Sequence, residues 1–180
     1  MRRLTLGLML AALFAAACGE GKAIFNIDVF SFMQASDTDT IPYYAPVPPG
    51  TPDTIPVQEV QLLPIGMDQS IVDTVRVNAT IDFVNQTGTG TVGFAIYIDS
   101  VPNVYAGTPA FTVGPVNVSG TNTSQGSLDV ELVSSLLPLF SRATVFIGAR
   151  VTATASVPPV QGVARVASLD LRIVLQERIF

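Results

Sequence analysis

The chain has 180 residues, a formal net charge of −5 and 48% hydrophobic residues, with no histidine, no tryptophan and a single cysteine. This composition excludes Ser-His-Asp and Cys-His catalysis, His-containing zinc sites and facial-triad iron sites, and it allows no internal disulfide. The acidic balance also excludes a nucleic-acid partner, whose binding rests on Lys and Arg neutralising phosphate, and no cofactor or metal is expected.

At the start, Arg2 and Arg3 precede Leu4–Ala17, an uncharged run of fourteen residues rich in Leu and Ala. A bilayer span takes about 20 apolar residues, so this run is too short to cross and stay. A basic start, a short apolar stretch and small residues at its end predict a secretory signal peptide over residues 1–17. Ala15-Ala16-Ala17-Cys18 then resembles the lipobox of bacterial lipoproteins, although position 15 is Ala where Leu is usual in that family. The resemblance implies cleavage before Cys18 and acylation of its sulfur and new amino terminus. The rival reading is a plain secreted protein that starts with Cys. Acylation would remove a free thiol from an oxidising compartment. Each buried CH₂ contributes about 0.8 kcal/mol, and stable anchoring takes two or more chains, which lipoprotein chemistry supplies. Gly19 stands where an Asp would imply retention in the inner membrane, so by the same resemblance the expected location is the outer membrane. Residues 18–22 become a tether and 23–180 a single domain. Without the leader the chain carries seven basic and fourteen acidic residues, a net of −7. That charge argues against electrostatic attachment to anionic lipid.

Residues 23–33, AIFNIDVFSFM, are predicted as one strand from their aromatic and β-branched content. Residues 34–56 hold six of the thirteen prolines and are predicted as an extended loop or spacer of polyproline character. Tyr43 and Tyr44 lie in it. They either dock on a partner, as interface aromatics do, or pack the loop onto its own domain.

Strict alternation follows. Ile71, Val75, Val77, Ala79, Ile81 and Phe83 are expected on one face, with Thr74, Arg76, Asn78, Thr80 and Asp82 on the other. NQTGTGT, 85–91, is predicted as a turn, and Val92, Phe94, Ile96 and Ile98 alternate beyond it. Weaker strands are predicted near 110–118 and 127–134, and a helical turn or loop over 133–140. Two long strands close the pattern. Ala143, Val145, Ile147, Ala149, Val151, Ala153 and Ala155 share one face. After SVPPVQG, a second face carries Val163, Ala167, Leu169, Leu171, Ile173 and Leu175.

Amphipathic strands separated by Gly, Pro and Asn turns predict an all-β fold, an antiparallel β-sandwich of about 7–8 strands. A membrane barrel would need aromatic girdles, and the sequence has no Trp. The stretch VRVNATIDFVNQTGTGTVGFAIYID, 75–99, resembles the strand, Asn-containing turn, strand form of immunoglobulin-like and late-embryogenesis-type sandwiches of bacterial lipoproteins. The Asn-Pro of the late-embryogenesis pattern is replaced by Asn85-Gln86. The resemblance implies an immunoglobulin-like sandwich behind the cleaved signal peptide.

Carboxylates are the remaining acid–base groups. Asp129 and Glu131 are two apart on a predicted strand, so both side chains leave the same face about 7 Å apart, a separation glycosidases use. The plain alternative is that Leu128, Val130 and Leu132 point inward and the acids point to water. Asp37 and Asp39 offer oxygens to calcium but lack the glycine and distal glutamate of a calcium loop. Asn78, Asn85, Asn117 and Asn122 begin Asn-x-Ser/Thr triplets, which behind a bacterial lipobox are turn and strand composition. The expected function is therefore that of a non-catalytic envelope lipoprotein, a binding or assembly module. It would be held to the membrane by lipid on Cys18, with an envelope protein or polysaccharide as partner. A carboxylate-dependent carbohydrate hydrolase is the alternative.

Overall fold

The computed structural model describes residues 21–35, 38–46, 53–54, 58–61, 71–142 and 144–177. Residues 1–17, Cys18, Asp37, Ala143 and the prolines at 48, 49, 52 and 56 lie outside the described residues.

Among the described residues eight strands form one antiparallel sheet: β1 (Gly21–Asp28), β2 (Thr40–Ala45), β3 (Asp53–Thr54), β4 (Gln58–Gln61), β5 (Ile71–Asp99), β6 (Phe111–Ser119), β7 (Asn122–Glu131) and β8 (Thr144–Glu177). The all-β antiparallel expectation holds, with eight strands against the seven or eight expected. The long strands β5 and β8 pair along nearly their whole length, from Ile71↔Gln176 to Asp99↔Phe146. Their halves have different neighbours. Residues 76–85 of β5 pair with β7, while in β8 residues 160–165 pair with β2 and 170–177 with β1. Residues 89–96 of β5 pair with β6, and 144–151 of β8 pair with β3 and β4. Each long strand thus serves two layers and passes between them near residues 85–90 and 157–162, where the register shifts repeatedly.

The layers close on one core. It holds Val75, Val77, Ile81 and Phe83 from one half of β5 and Val92, Phe94 and Ile96 from the other. Gly126 of β7 shows how close the layers come: a Cβ there would lie 2.7 Å from Val113 Cγ1 of β6 and 3.3 Å from Phe83 Cε2. Burying a large apolar side chain contributes about 1.5–3 kcal/mol, so the fully buried Phe83, Phe94, Phe140, Ile173 and Leu175 dominate the stability. Phe140 comes from a 3₁₀ turn, Leu137–Ser141, in the segment expected to be a helical turn or loop.

Four sequence expectations change. The strand expected over 23–33 stops at Asp28, and α1 (Val29–Ala35) follows. Asp28 Oδ1 accepts the Ser31 N–H at 3.0 Å, satisfying one of the orphan donors of a helix start. Val29 and Met33, four apart, then bury one helical face. Next, Ile71 is exposed and Val72 is buried. The register slips between Val72 and Thr74, and one extra residue reverses which side chains face inward. The same device acts in β8. A slip between Val166 and Ser168 turns Ala167 outward, and upstream of it Ala164 and Val166 take the inward positions expected for Val163 and Ala167. Finally, 85–91 is a bulged corner inside a continuous strand rather than a turn between two.

The Pro-rich stretch also differs from a spacer over part of its length. Residues 40–45 are an edge strand against β8, with Ile41, Tyr43 and Ala45 buried and Pro42 and Tyr44 outward. An edge is where a ladder tolerates proline.

Candidate binding site

The acidic pair comes first, because the sequence singled it out. Asp129 and Glu131 lie on β7 opposite Asn78 and Arg76 of β5. Arg76 grips Asp129 in a fork: Nε donates to Oδ1 at 2.6 Å and Nη2 to Oδ2 at 2.7 Å. This bidentate bond holds the Asp129 carboxyl below the usual carboxylate range, the opposite of what a general acid needs. Both partners are well exposed, so the pair adds little to stability. Asp129 lines a shallow groove of about 190 Å³ with Asn26, Arg76, Asn78, Asp170 and Arg172, where opposite charges alternate across the strands. Asp82 accepts a bond from Gln125 Nε2 at 2.9 Å, and Asp99 accepts the Ser100 N–H at 2.6 Å. Among the described residues, no three acidic side chains converge on a point that would hold a metal.

The two tyrosines of the Pro-rich segment separate. Tyr43 packs inward and is 2% exposed, while Tyr44 is 53% exposed. Alternation along β2 imposes this, so Tyr43 serves its own domain and Tyr44 alone of the two faces solvent. The Tyr43 hydroxyl donates to Asn85 Oδ1 at 3.2 Å, and burial pushes its pKa from 10.0 up to about 12. Asn85 is the one buried polar residue of the described core. The two N–H groups of its Nδ2 are shared among the carbonyls of Thr87, Gly88 and Gly120, at 3.0, 3.2 and 2.7 Å from the nitrogen. The corner has left these carbonyls out of the regular ladder, and the amide replaces the lost donors. Gly162 completes the node, since a Cβ there would lie 2.3 Å from the Val84 carbonyl and 2.5 Å from Tyr43 Oη.

Beside this corner the outer face of the second layer opens into a groove of about 440 Å³. Thr89 and Thr91 of β5, Asn117 and Ser119 of β6, Asn122 and Ser124 of β7, and Thr154 and Ser156 of β8 line it. Gly90 forms part of its floor; a Cβ there would lie 2.0 Å from the Thr154 carbonyl, so the strands meet closely. Four hydroxyls are tied to one another or to the frame. Thr89 Oγ1 and Ser119 Oγ lie 3.3 Å apart, Ser124 Oγ donates to the Asn117 carbonyl and Ser156 Oγ to the Thr89 carbonyl, both at 3.0 Å. The side chains of Thr91, Thr154 and Asn117 make no hydrogen bond within the described protein, so their donors and acceptors face the groove. Among the described residues, no ionisable side chain lines it. The sequence reading missed these residues. The signal was there in the hydroxyl-bearing outward positions of two strands that pair, Thr91↔Thr154. Of the four Asn-x-Ser/Thr asparagines, Asn117 and Asn122 line this groove, Asn78 the charged one, and Asn85 is buried.

Fold and groove together define a β-sandwich domain with an open, uncharged polar face. No protein-family model and no curated protein matches the sequence. Among solved structures, the chain is similar to the infectious bursal disease virus Gt strain structure, with TM-score 0.49 and 11% identity over 88% of this chain and 33% of that one. The VP2 subviral particle of the same virus gives TM-score 0.49 and 10% identity over 86% and 33%. The chain spans about a third of the length of these viral chains. A xylan-binding module, CBM15, gives TM-score 0.37 and 8% identity over 85% of this chain and 97% of that one.

Proposed function

We propose that the protein is a non-catalytic binding module, exported and held to the cell envelope by lipid on Cys18, that takes a polysaccharide in the groove between Thr91, Asn117 and Thr154. The observation that carries this reading is the groove itself. It offers solvent-facing hydroxyl and amide groups on a sheet, without the paired carboxylates that glycosidic cleavage uses. Hydroxyls and amides that both donate and accept suit the hydroxyls of a sugar chain, and sites built on strands hold their geometry well. The carboxylate hydrolase is the weaker reading because its best pair is exposed and Asp129 is engaged by Arg76.

The test is affinity electrophoresis of the protein through gels containing neutral and acidic polysaccharides. At least one polymer should retard the wild type, and Thr91→Val with Thr154→Val should abolish that retardation while leaving thermal unfolding nearly unchanged. Retardation that persists undiminished in the double variant would remove the groove from the binding reading.

A further inference from the structure

The same outer face carries a second feature, four residues along β8 from Thr154. Arg150 leaves the sheet on the groove side, between the inward Ala149 and Val151. Its guanidinium packs against two tyrosine rings that also touch each other, with Cζ 5.2 Å from the centroid of Tyr97 and 4.9 Å from that of Tyr105. The rings meet edge to face, 5.3 Å apart at 70°. The segment after β5 places the second ring: a 3₁₀ turn, Val104–Ala106, drapes over Gly148, where a Cβ would lie 2.6 Å from Val104 Cγ2 and 2.8 Å from the Tyr105 ring. Tyr105 Oη is then pinned to the Ala149 carbonyl at 3.1 Å.

Such a cradle fixes the arginine but satisfies little of it. The rings attract its faces, while its N–H edges need acceptors. Nη1 reaches Tyr97 Oη at a long 3.5 Å, and Nε is buried with no partner. No carboxylate of the described residues pairs with it, although Arg76 and Lys22 each have one. In a chain with fourteen acids and nine bases, a stacked, partly buried and unpaired guanidinium is costly unless something else supplies the anion.

Geometry links this cation to the groove. Arg150 and Thr154 are about 13 Å apart along one strand at 3.3 Å per residue, with Thr152 pointing the same way between them. Across on β5 their partners are Ala95 and Thr91, and Thr152 faces Gly93. A Cβ at Gly93 would meet nothing of the described residues closer than Thr152 Oγ1 at 3.4 Å, so the sheet is low at this point between cation and groove.

Resting on the polysaccharide reading above, we infer that Arg150, cradled by Tyr97 and Tyr105, is a carboxylate subsite and that the ligand is a uronic-acid-containing polysaccharide lying along the β5–β8 face. Hydroxyls of one stretch sit on Thr91, Asn117 and Thr154, and the carboxylate of a nearby sugar takes the guanidinium edge. A planar, bidentate fork matches a carboxylate. The acidic surface elsewhere opposes indiscriminate capture of polyanions, so recognition rests on this cation.

The experiment measures binding of the full chain to polygalacturonate and to its fully methyl-esterified form, which keeps the backbone and removes the charge. Polygalacturonate should bind roughly 10- to 100-fold more tightly, the scale of a charge-assisted hydrogen-bond pair, and rising salt should erode that preference alone. Arg150→Gln should abolish the preference and Arg150→Lys should recover part of it, while Thr91→Val with Thr154→Val should weaken both polymers alike. Equal wild-type affinity for the two polymers would overturn the carboxylate subsite and leave the polysaccharide reading standing. Binding of neither these nor any other polysaccharide would remove both. Polyglutamate bound as tightly as polygalacturonate would also overturn the inference, because an acidic peptide would then suffice. The salt series and ester comparison use the wild type, so they decide the matter even if an Arg150 variant fails to fold.

Discussion

Replacing Asn85 with Ala probes how the sheet turns its corner. The substitution removes the two N–H donors of Nδ2, shared among the carbonyls of Thr87, Gly88 and Gly120, and one acceptance from Tyr43. Each bond contributes about 1 kcal/mol net, and a buried group left unsatisfied costs about 1–3 kcal/mol. The Gly88 carbonyl keeps a second donor, the Gly120 N–H at 2.8 Å, so the expected loss is roughly 3–4 kcal/mol rather than the larger sum. Tyr43→Phe removes only the bond accepted by Asn85 Oδ1 and should cost about 1 kcal/mol. Because the two side chains touch, the double variant should lose less than the sum of the singles. Urea unfolding followed by far-ultraviolet circular dichroism measures all three. An Asn85→Ala cost equal to that of Tyr43→Phe, or strict additivity of the pair, would refute the account of the amide as the replacement donor. The phenol adds a pH signature. Folding raises the Tyr43 pKa from 10.0 to about 12, so the folded state holds this proton more tightly. Stability from it is present below pH 10 and is lost as pH rises from 10 to 12. In Tyr43→Phe that part of the alkaline loss should disappear.

Other outcomes follow from the packing and the anchor. Leu169→Ala should cost about 2–5 kcal/mol, whereas Thr152→Ala, on the outer face, should stay within about 0.5 kcal/mol; equal effects would mean that both faces of the sheet are covered. Cys18→Ser should abolish fatty-acid labelling and release the protein from membranes, and unchanged membrane association would end the lipoprotein reading. Asp129→Asn with Glu131→Gln should leave glycan binding intact, and wild-type glycan hydrolysis that vanishes in this variant would restore the enzyme reading.

The sequence was most readable where alternation ran unbroken. Val75 to Phe83, Val92 to Ile98 and Leu169 to Leu175 all face the way their period-2 pattern predicts. It misled where one inserted residue reversed the phase, at Asp73 and Ala167, because a bulge leaves composition unchanged and alters only the count. Asn85 to Thr91 read as a turn because Asn, Thr and Gly serve a bulged corner as well as a hairpin. The end of β1 was concealed by the aromatic and β-branched residues that α1 shares with a strand, so the Asp28 cap was the better signal. Tyr43 and Tyr44 were distinguishable in principle, since neighbours on a strand face opposite ways, but proline density concealed the strand. The groove and the Arg150 cradle depend on β5, β6, β7, β8 and a draped loop meeting at one face, and no local pattern records that meeting.

The pairing of β8 carries a consequence for how the chain is made. β1, β2, β3 and β4 each find their ladder partner in β8. A nascent chain that has emerged only as far as residue 143 therefore has no template for its first four strands, and half of the β5 ladder is also missing. Contacts so distant in sequence slow folding, because loop closure must precede the contacts that reward it. Synthesis and folding are thereby separated in time: the early segments wait as extended chain until the strand that organises them arrives, and both layers then assemble around it together.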